Sequence, residues 1–161
     1  MSRHLFPDEF FCLRCGVIIS SAYGLSGVRN RNHCPYCLWS RHLDWRTPGD
    51  RLSSCKGAMQ PIGLSLKNSR NKYAVAPSGE LMVVHHCTVC EAVAINRIAA
   101  DDGTDALNEV FRSSMRMEHR IRTRLEIGGI RILSRADWEI VSRRLFGKHQ
   151  LFEAVPDKCG K

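Results

Sequence analysis

The sequence contains no long hydrophobic run. No stretch approaches the roughly 18–20 apolar residues of a membrane span, so no membrane role is expected. Residues Met1 to Phe11 lack a charged segment followed by an apolar one, and no secretory signal is read there. A cytoplasmic address follows as the expectation. The C-x2-C-x12-H-x3–5-H pattern of a base-reading zinc finger is missing. So is the βαβ setting of a thioredoxin-type Cys-x-x-Cys, which argues against thiol exchange. Acidic residues are scarce: 16 Asp+Glu stand against 24 Lys+Arg, a formal net charge of +8.

Cysteine, by contrast, is plentiful, with eight in 161 residues. In a reducing compartment, spaced cysteine pairs point to metal ligands rather than disulfides. Cys12-x-x-Cys15 and Cys34-x-x-Cys37 are separated by 18 residues, inside the spacing of a four-cysteine zinc site. Two such knuckles present four thiolates tetrahedrally, at about 2.3 Å from zinc. An iron–sulfur centre or a redox pair is the alternative. A second site draws on Cys55 and on Cys87-x-x-Cys90. Its fourth ligand must be a histidine. Alternate residues of a strand share a face, so His85 points with Cys87 and is the first choice, with His42 and His86 behind it. The other reading of His85 is a buried core histidine. Cys159, near the C-terminus, reads as a spare thiol. The expected cofactor is therefore zinc, as two structural ions held by Cys12, Cys15, Cys34, Cys37, Cys55, His85, Cys87 and Cys90. Such ions supply folding free energy that a small core does not.

Local patterns divide the chain. Residues 1–10 read as a tail. Gly16 suits the tight turn after the first knuckle, and Val17-Ile18-Ile19 is β-prone. Residues 20–30 form a polar loop, and Thr47-Pro48-Gly49-Asp50 a turn. The polar run 67–72 opens a hairpin whose strand is Leu81 to His86, and 92–98 returns as another strand. From Thr104, the apolar positions Leu107, Val110, Phe111, Met117 and Ile121 describe one amphipathic helix, which Gly128-Gly129 ends. Ser134 with Asp137 has the form of an N-cap and opens a helix that stops at Gly147. The expected fold is a small zinc-dependent α+β protein. It comprises a zinc-ribbon module of β-hairpins with two zinc sites over residues 8–102 and a helical C-terminal extension over 103–150.

Arg31-Asn32-His33-Cys34-Pro35 resembles the signature of the RNHCP-domain family. The likeness extends through Phe11-Cys12-Leu13-Arg14-Cys15-Gly16, Cys37 to Asp44, Pro48 to Arg51, Cys55 to Pro61, His85 to Cys90 and Asn96 to Asp102. It covers about residues 10–102. The resemblance implies a small bacterial zinc-ribbon-like protein and carries no particular activity. It also directs attention to the chemistry-bearing residues within these segments, among them Asp44, Asp50, Asp101 and Asp102.

Charge points to a partner. Residues 1–100 hold 12 Lys+Arg against 6 Asp+Glu, and residues 101–161 hold 12 against 10. With both zinc sites filled the net charge falls to about +5, because ligand cysteines are thiolates. A basic cysteine-rich region suits a polyanion. The expected function is RNA binding, with the ribosome as one possible location. Arg31, Arg41, Arg51 and Arg97 are the candidate contacts, followed by Tyr36, Trp39 and Trp45 as stacking platforms. Trp39 and Trp45 equally suit a small core. Two other functions compete. One is a zinc-braced, metal-dependent nuclease of the HNH type, with His33 as general base, Asp101 and Asp102 holding a divalent cation and Arg97 steadying phosphate. Against it, His33 abuts Cys34 and suits a structural hydrogen bond there. The other is a protein–protein adaptor that uses the C-terminal helices, where Arg116, Arg120, Arg122 and Arg124 lie beside Met115 and Met117.

Overall fold

Alternating apolar residues and three cysteine knuckles build two sheets, and C-terminal helices cover the larger one. The structure is a computed structural model and describes residues 9–68, 79–148 and 150–153. Strands β1 (Glu9–Phe11) and β2 (Ile18–Ser20) pair antiparallel around the first knuckle. A short helix, α1 (Tyr23–Ser26), follows. Strands β3 (Ser40–Arg41), β4 (Ala58–Asn68), β5 (Gly79–Cys87) and β6 (Val93–Arg97) form a four-stranded antiparallel sheet in sequence order. Helices α2 (Thr104–Ser114), α3 (His119–Ile127) and α4 (Trp138–Phe146) complete the described chain.

Strand β5 is buried on both faces. Val83 joins a cluster with Leu38, Leu64, Leu107, Phe111, Leu133, Trp138 and Val141. Val84 joins a smaller one with Leu125 and Ile132. The first cluster unites the sheet, the second knuckle and two helices, so packing continues across residue 102. The small α+β architecture with β-hairpins and metal-ligand clusters is the one expected from sequence.

Four local readings change. The long strand β4 is hidden in the sequence by Pro61 and Gly63. Proline is tolerated because β3 pairs only with Ala58 and Met59, which leaves Pro61 on an open edge. The β4–β5 register shifts between Pro61 and Gly63, a bulge that accommodates the extra residue. At Gly63 a side chain would meet Ile132 Cγ2 at 2.9 Å, so glycine permits the sheet to approach the segment before α4. The single helix expected from Thr104 through Ile121 is two helices. After Ser114 the N–H groups of Met115 and Arg116 turn back to the carbonyls of Arg112 and Ser113. This break lets Met117 and Ile121 cover Val84 while Leu107 and Phe111 cover Val83. The expected tail enters β1 at Glu9, and the loop 20–30 contains α1. The run 67–72 and Cys159 lie partly or wholly outside the described residues.

The Ser134 signal is present: the Asp137 carboxylate accepts from the Ser134 backbone N–H at 2.8 Å and its hydroxyl at 3.1 Å. At the other end Gly147 adopts a left-handed φ of 71° and its N–H bonds Arg143 O.

Phe111 is fully buried and stacks on Trp138 with ring centroids 5.5 Å apart. Phe111→Ala is expected to cost about 3–5 kcal/mol. Chemical denaturation will show a lower midpoint, with metal content unchanged in the folded protein.

Candidate metal centres and the buried ion-pair network

The three knuckles share one backbone form. In each, the first cysteine's N–H bonds the carbonyl five residues on: Cys12 to Val17, Cys34 to Trp39 and Cys87 to Ala92, at 2.8–2.9 Å. Its carbonyl accepts from the residue four on, namely Gly16, Leu38 and Glu91. Those three residues have φ of 77°, 59° and 61°. Only Gly16 adopts this left-handed conformation without strain from a side chain. The turn is tight because both thiols must face one point.

Cys12, Cys15, Cys34 and Cys37 bring their sulfurs within 4.8 Å of one another. Cys12 to Cys37 and Cys15 to Cys34 are each 3.6 Å. A disulfide would be about 2.05 Å. The edge of a tetrahedron of zinc–sulfur bonds is about 3.8 Å. The donor set and its spacing thus fit zinc. In the second group, His42, Cys55, Cys87 and Cys90 lie within the same limit. Cys55 to Cys87 is 3.7 Å, and Cys90 Sγ to His42 Nδ1 is 3.2 Å. Both groups supply four ligands, as structural zinc sites do, and are consistent with two structural zinc ions.

Backbone dipoles favour the thiolates. The N–H of Val17 lowers the Cys15 thiol. Burial raises Cys87, but the N–H groups of Cys90 and Val89 outweigh it and bring the thiol down to about 6. Burial pushes Cys34 up. A bound dication reverses such a rise by stabilising the thiolate directly.

The fourth ligand position corrects the expectation for His85. The histidine among these cysteines is His42, which the main-chain bond from His42 N to Gly57 O holds beside the site. His85 points into the protein. Its Nε2–H donates to Leu38 O at 2.7 Å, so its Nδ1 accepts from Asn96 Nδ2 at 2.9 Å. Both nitrogens are used, and burial lowers its pKa to about 4, which keeps the ring neutral. Strand alternation placed His85 correctly on a face but could not show that His42, more than forty positions away, is nearer the metal.

The R-N-H-C-P segment and the Asp101-Asp102 pair meet in a second constellation. Arg31 donates to Asp101 at 2.7 Å and to Asp102 at 3.1 Å. His33 Nε2–H donates to the Asp102 carboxylate at 2.8 Å. The Ala99 N–H adds a bond at 2.8 Å. The side chains of Arg31 and Asp102 are both 0% exposed. Arg31 Nε also holds His33 O, and the Gly103 N–H bonds Pro35 O. The motif is thus a clasp that joins the second knuckle to the start of α2.

This clasp corrects the placement of Arg31 as an RNA contact, because its guanidinium faces carboxylates and not solvent. It also leaves the nuclease constellation unassembled: Asp102 has its oxygens committed to Arg31, His33 and Ala99, and His33 is buried. The other candidate contacts are distributed over the surface. Arg41 is exposed on β3, and Arg97 is exposed on β6 with its Nε on Glu80 at 2.7 Å. Arg51 is half-buried, donates to Arg31 O and lies 3.6 Å from Asp44. Tyr36 and Trp45 are 67% and 63% exposed. Trp39 is half-buried beneath the Arg14 guanidinium, 5.0 Å from the ring centroid. Asp44 and Asp50 accept backbone N–H groups within their own loop. Arg14 escaped notice in the sequence because it sits between two ligand cysteines.

The model of the RNHCP domain matches residues 7–108. The chain belongs to this family. The RNHCP match takes in both ligand groups, the clasp and the first residues of α2. No curated protein and no solved structure matches the chain.

Metal analysis is expected to find two zinc ions per chain. Cys87→Ser should leave one. In His42→Ala, a competing chelator should strip the second ion while the first stays, whereas His85→Gln should keep both. Asp102→Ala strands the buried Arg31 charge and is expected to cost about 3–5 kcal/mol. Thermal or denaturant unfolding measures that loss, and Arg31→Leu combined with Asp102→Leu should recover part of it.

Proposed function

We propose that this RNHCP-domain protein binds unpaired RNA on the platform formed by its first metal centre. One observation carries the reading. A hollow of about 230 Å³ beside the first knuckle is lined by Phe10, Phe11, Leu13, Arg14, Trp39 and Arg41, among others. There the Arg14 guanidinium carbon lies over the Trp39 indole, 5.0 Å from the ring centroid. Bases stack on guanidinium and indole planes, and Arg41 supplies a phosphate contact. Trp45 with Arg46 at 4.3 Å repeats the pairing on an exposed loop. The net charge of +8 supports a polyanionic partner.

No helix among the described residues is long and apolar enough to cross a membrane. Two thiolate-rich centres suit a reducing compartment, and the cytoplasm is the proposed location. RNA of the ribosome is a partner of the required chemistry.

A second reading rests on Phe11, Leu13, Val17 and Ile18, which are exposed together around the first knuckle and suit an apolar protein surface. Fluorescence anisotropy with single-stranded RNA over a salt series separates the two. Affinity is expected to fall linearly on a log–log plot. Arg14→Ala with Arg41→Ala should weaken binding about tenfold or more and reduce the slope by about 2. Binding that ignores both salt and these arginines, or no binding to RNA, sinks the RNA reading.

A further inference from the structure

A larger cavity lies on the other side of Asn32, a residue that lines both hollows. Its volume is about 350 Å³, within the range of small-ligand pockets. Val28, Pro48, Leu66, Met82 and Ile95 give it apolar walls. Asn30, Asn32 and Asn96 supply amides to the lining, and Arg29, Lys67 and Arg97 supply cations. These three basic residues are exposed, Arg97 with its Nε on Glu80, while Arg31 and His33 at the buried side are committed to Asp102. Among the described residues the only carboxylate of the lining, Asp44, is engaged by the N–H groups of Gly49 and Arg51.

Asn96 is held in one orientation by a relay. Leu38 O takes the Nε2 proton of His85, which makes Nδ1 an acceptor, and Nδ1 in turn takes the Asn96 Nδ2 proton. The amide cannot flip without losing that bond. Its Oδ1 has no partner among the described residues and remains an acceptor in the lining of the cavity. The Asn32 side-chain amide likewise has no hydrogen bond among the described residues, because only its backbone carbonyl is used, by Ser40 and Arg41.

We infer that this cavity is a base-reading subsite that accepts one unpaired nucleotide of the RNA. The ligand class follows from the lining. Apolar walls receive the faces of a planar base, and asparagine amides offer donors and acceptors to its edge. The surrounding arginines and lysine meet the phosphate charge. The inference rests on the RNA reading and adds selectivity to it: the Arg14–Trp39 hollow provides affinity that is blind to sequence, and the Asn32–Asn96 cavity provides preference among bases.

The test uses short single-stranded homopolymers of A, C and U with the full-length, zinc-loaded protein. Ile95 is 39% exposed and lines the cavity, so Ile95→Trp obstructs it with little demand on the core. Asn96→Ala removes the oriented acceptor. The wild type should prefer one homopolymer over the weakest by about tenfold or more, a difference of at least about 1.4 kcal/mol. Both variants should bring the three affinities within about threefold of one another, while zinc content and the salt slope stay as in the wild type. Wild-type affinities that are equal for all three polymers, or a preference that survives Ile95→Trp, would overturn the inference and leave the RNA reading intact. Failure of the wild type to bind any of the polymers would overturn both.

Discussion

The buried carboxylate of Asp102 is the contact on which the rest of the arrangement depends. It receives hydrogen bonds from Arg31, His33 and the Ala99 backbone. Those donors come from the segment before the second knuckle and from the segment leaving β6. An isolated charge in such a place would cost several kcal/mol. Here the Arg31 guanidinium, which also holds Asp101, and the imidazole N–H of His33 balance it. The ion pair is worth little as net stability, because desolvation consumes most of the attraction. Its value is positional: Asp102 fits only where Arg31 and His33 both arrive, so it sets the register between the first metal centre and α2.

The metal centres provide what the hydrophobic clusters do not. The first lies at the edge of the apolar packing of the described residues, in a small cluster of its own formed by Cys12, Ile19 and Cys34. Such a cluster is too small to hold two knuckles together unaided. Four thiolates around a dication replace a core there. The second centre is different in kind. Cys87 is the last residue of β5, the strand that carries Val83, Val84 and His85 through the interior. Its ligands are therefore set by the main sheet, with His42 and Cys55 brought up from the preceding loops. Charge follows the same division, with guanidinium groups either clasped inside, as Arg31 is, or spread over the outer surface.

Spacing made the metal ligands legible, since a knuckle is local and its two cysteines must lie three positions apart. Seven of the eight ligands in the two groups could be read that way or from a nearby lone cysteine. The remaining one, His42, depends on how the 42–55 loop folds over the end of β5, and no periodicity encodes that. The helical C-terminus was visible from its apolar spacing, but the break after Ser114 was not, because it answers to two separate clusters on opposite faces of one strand. Strand β4 was obscured by Pro61 and Gly63, which are acceptable only because β3 is two residues long. Arg31 looked like a surface arginine because burial is decided by a partner seventy positions later.

Leu38 gathers several of these roles into one residue. It takes the left-handed turn of the second knuckle at φ 59°, its side chain is buried in the main cluster, and its carbonyl sets the tautomer of His85. Replacing it perturbs the geometry of a thiolate pair, the packing of the interior and the orientation of Asn96 together. The energies of those three functions are consequently not additive at this position. A single-residue scan would assign to Leu38 a sum that belongs to none of them, and only paired substitutions with Cys34, Val83 and His85 would resolve it into parts.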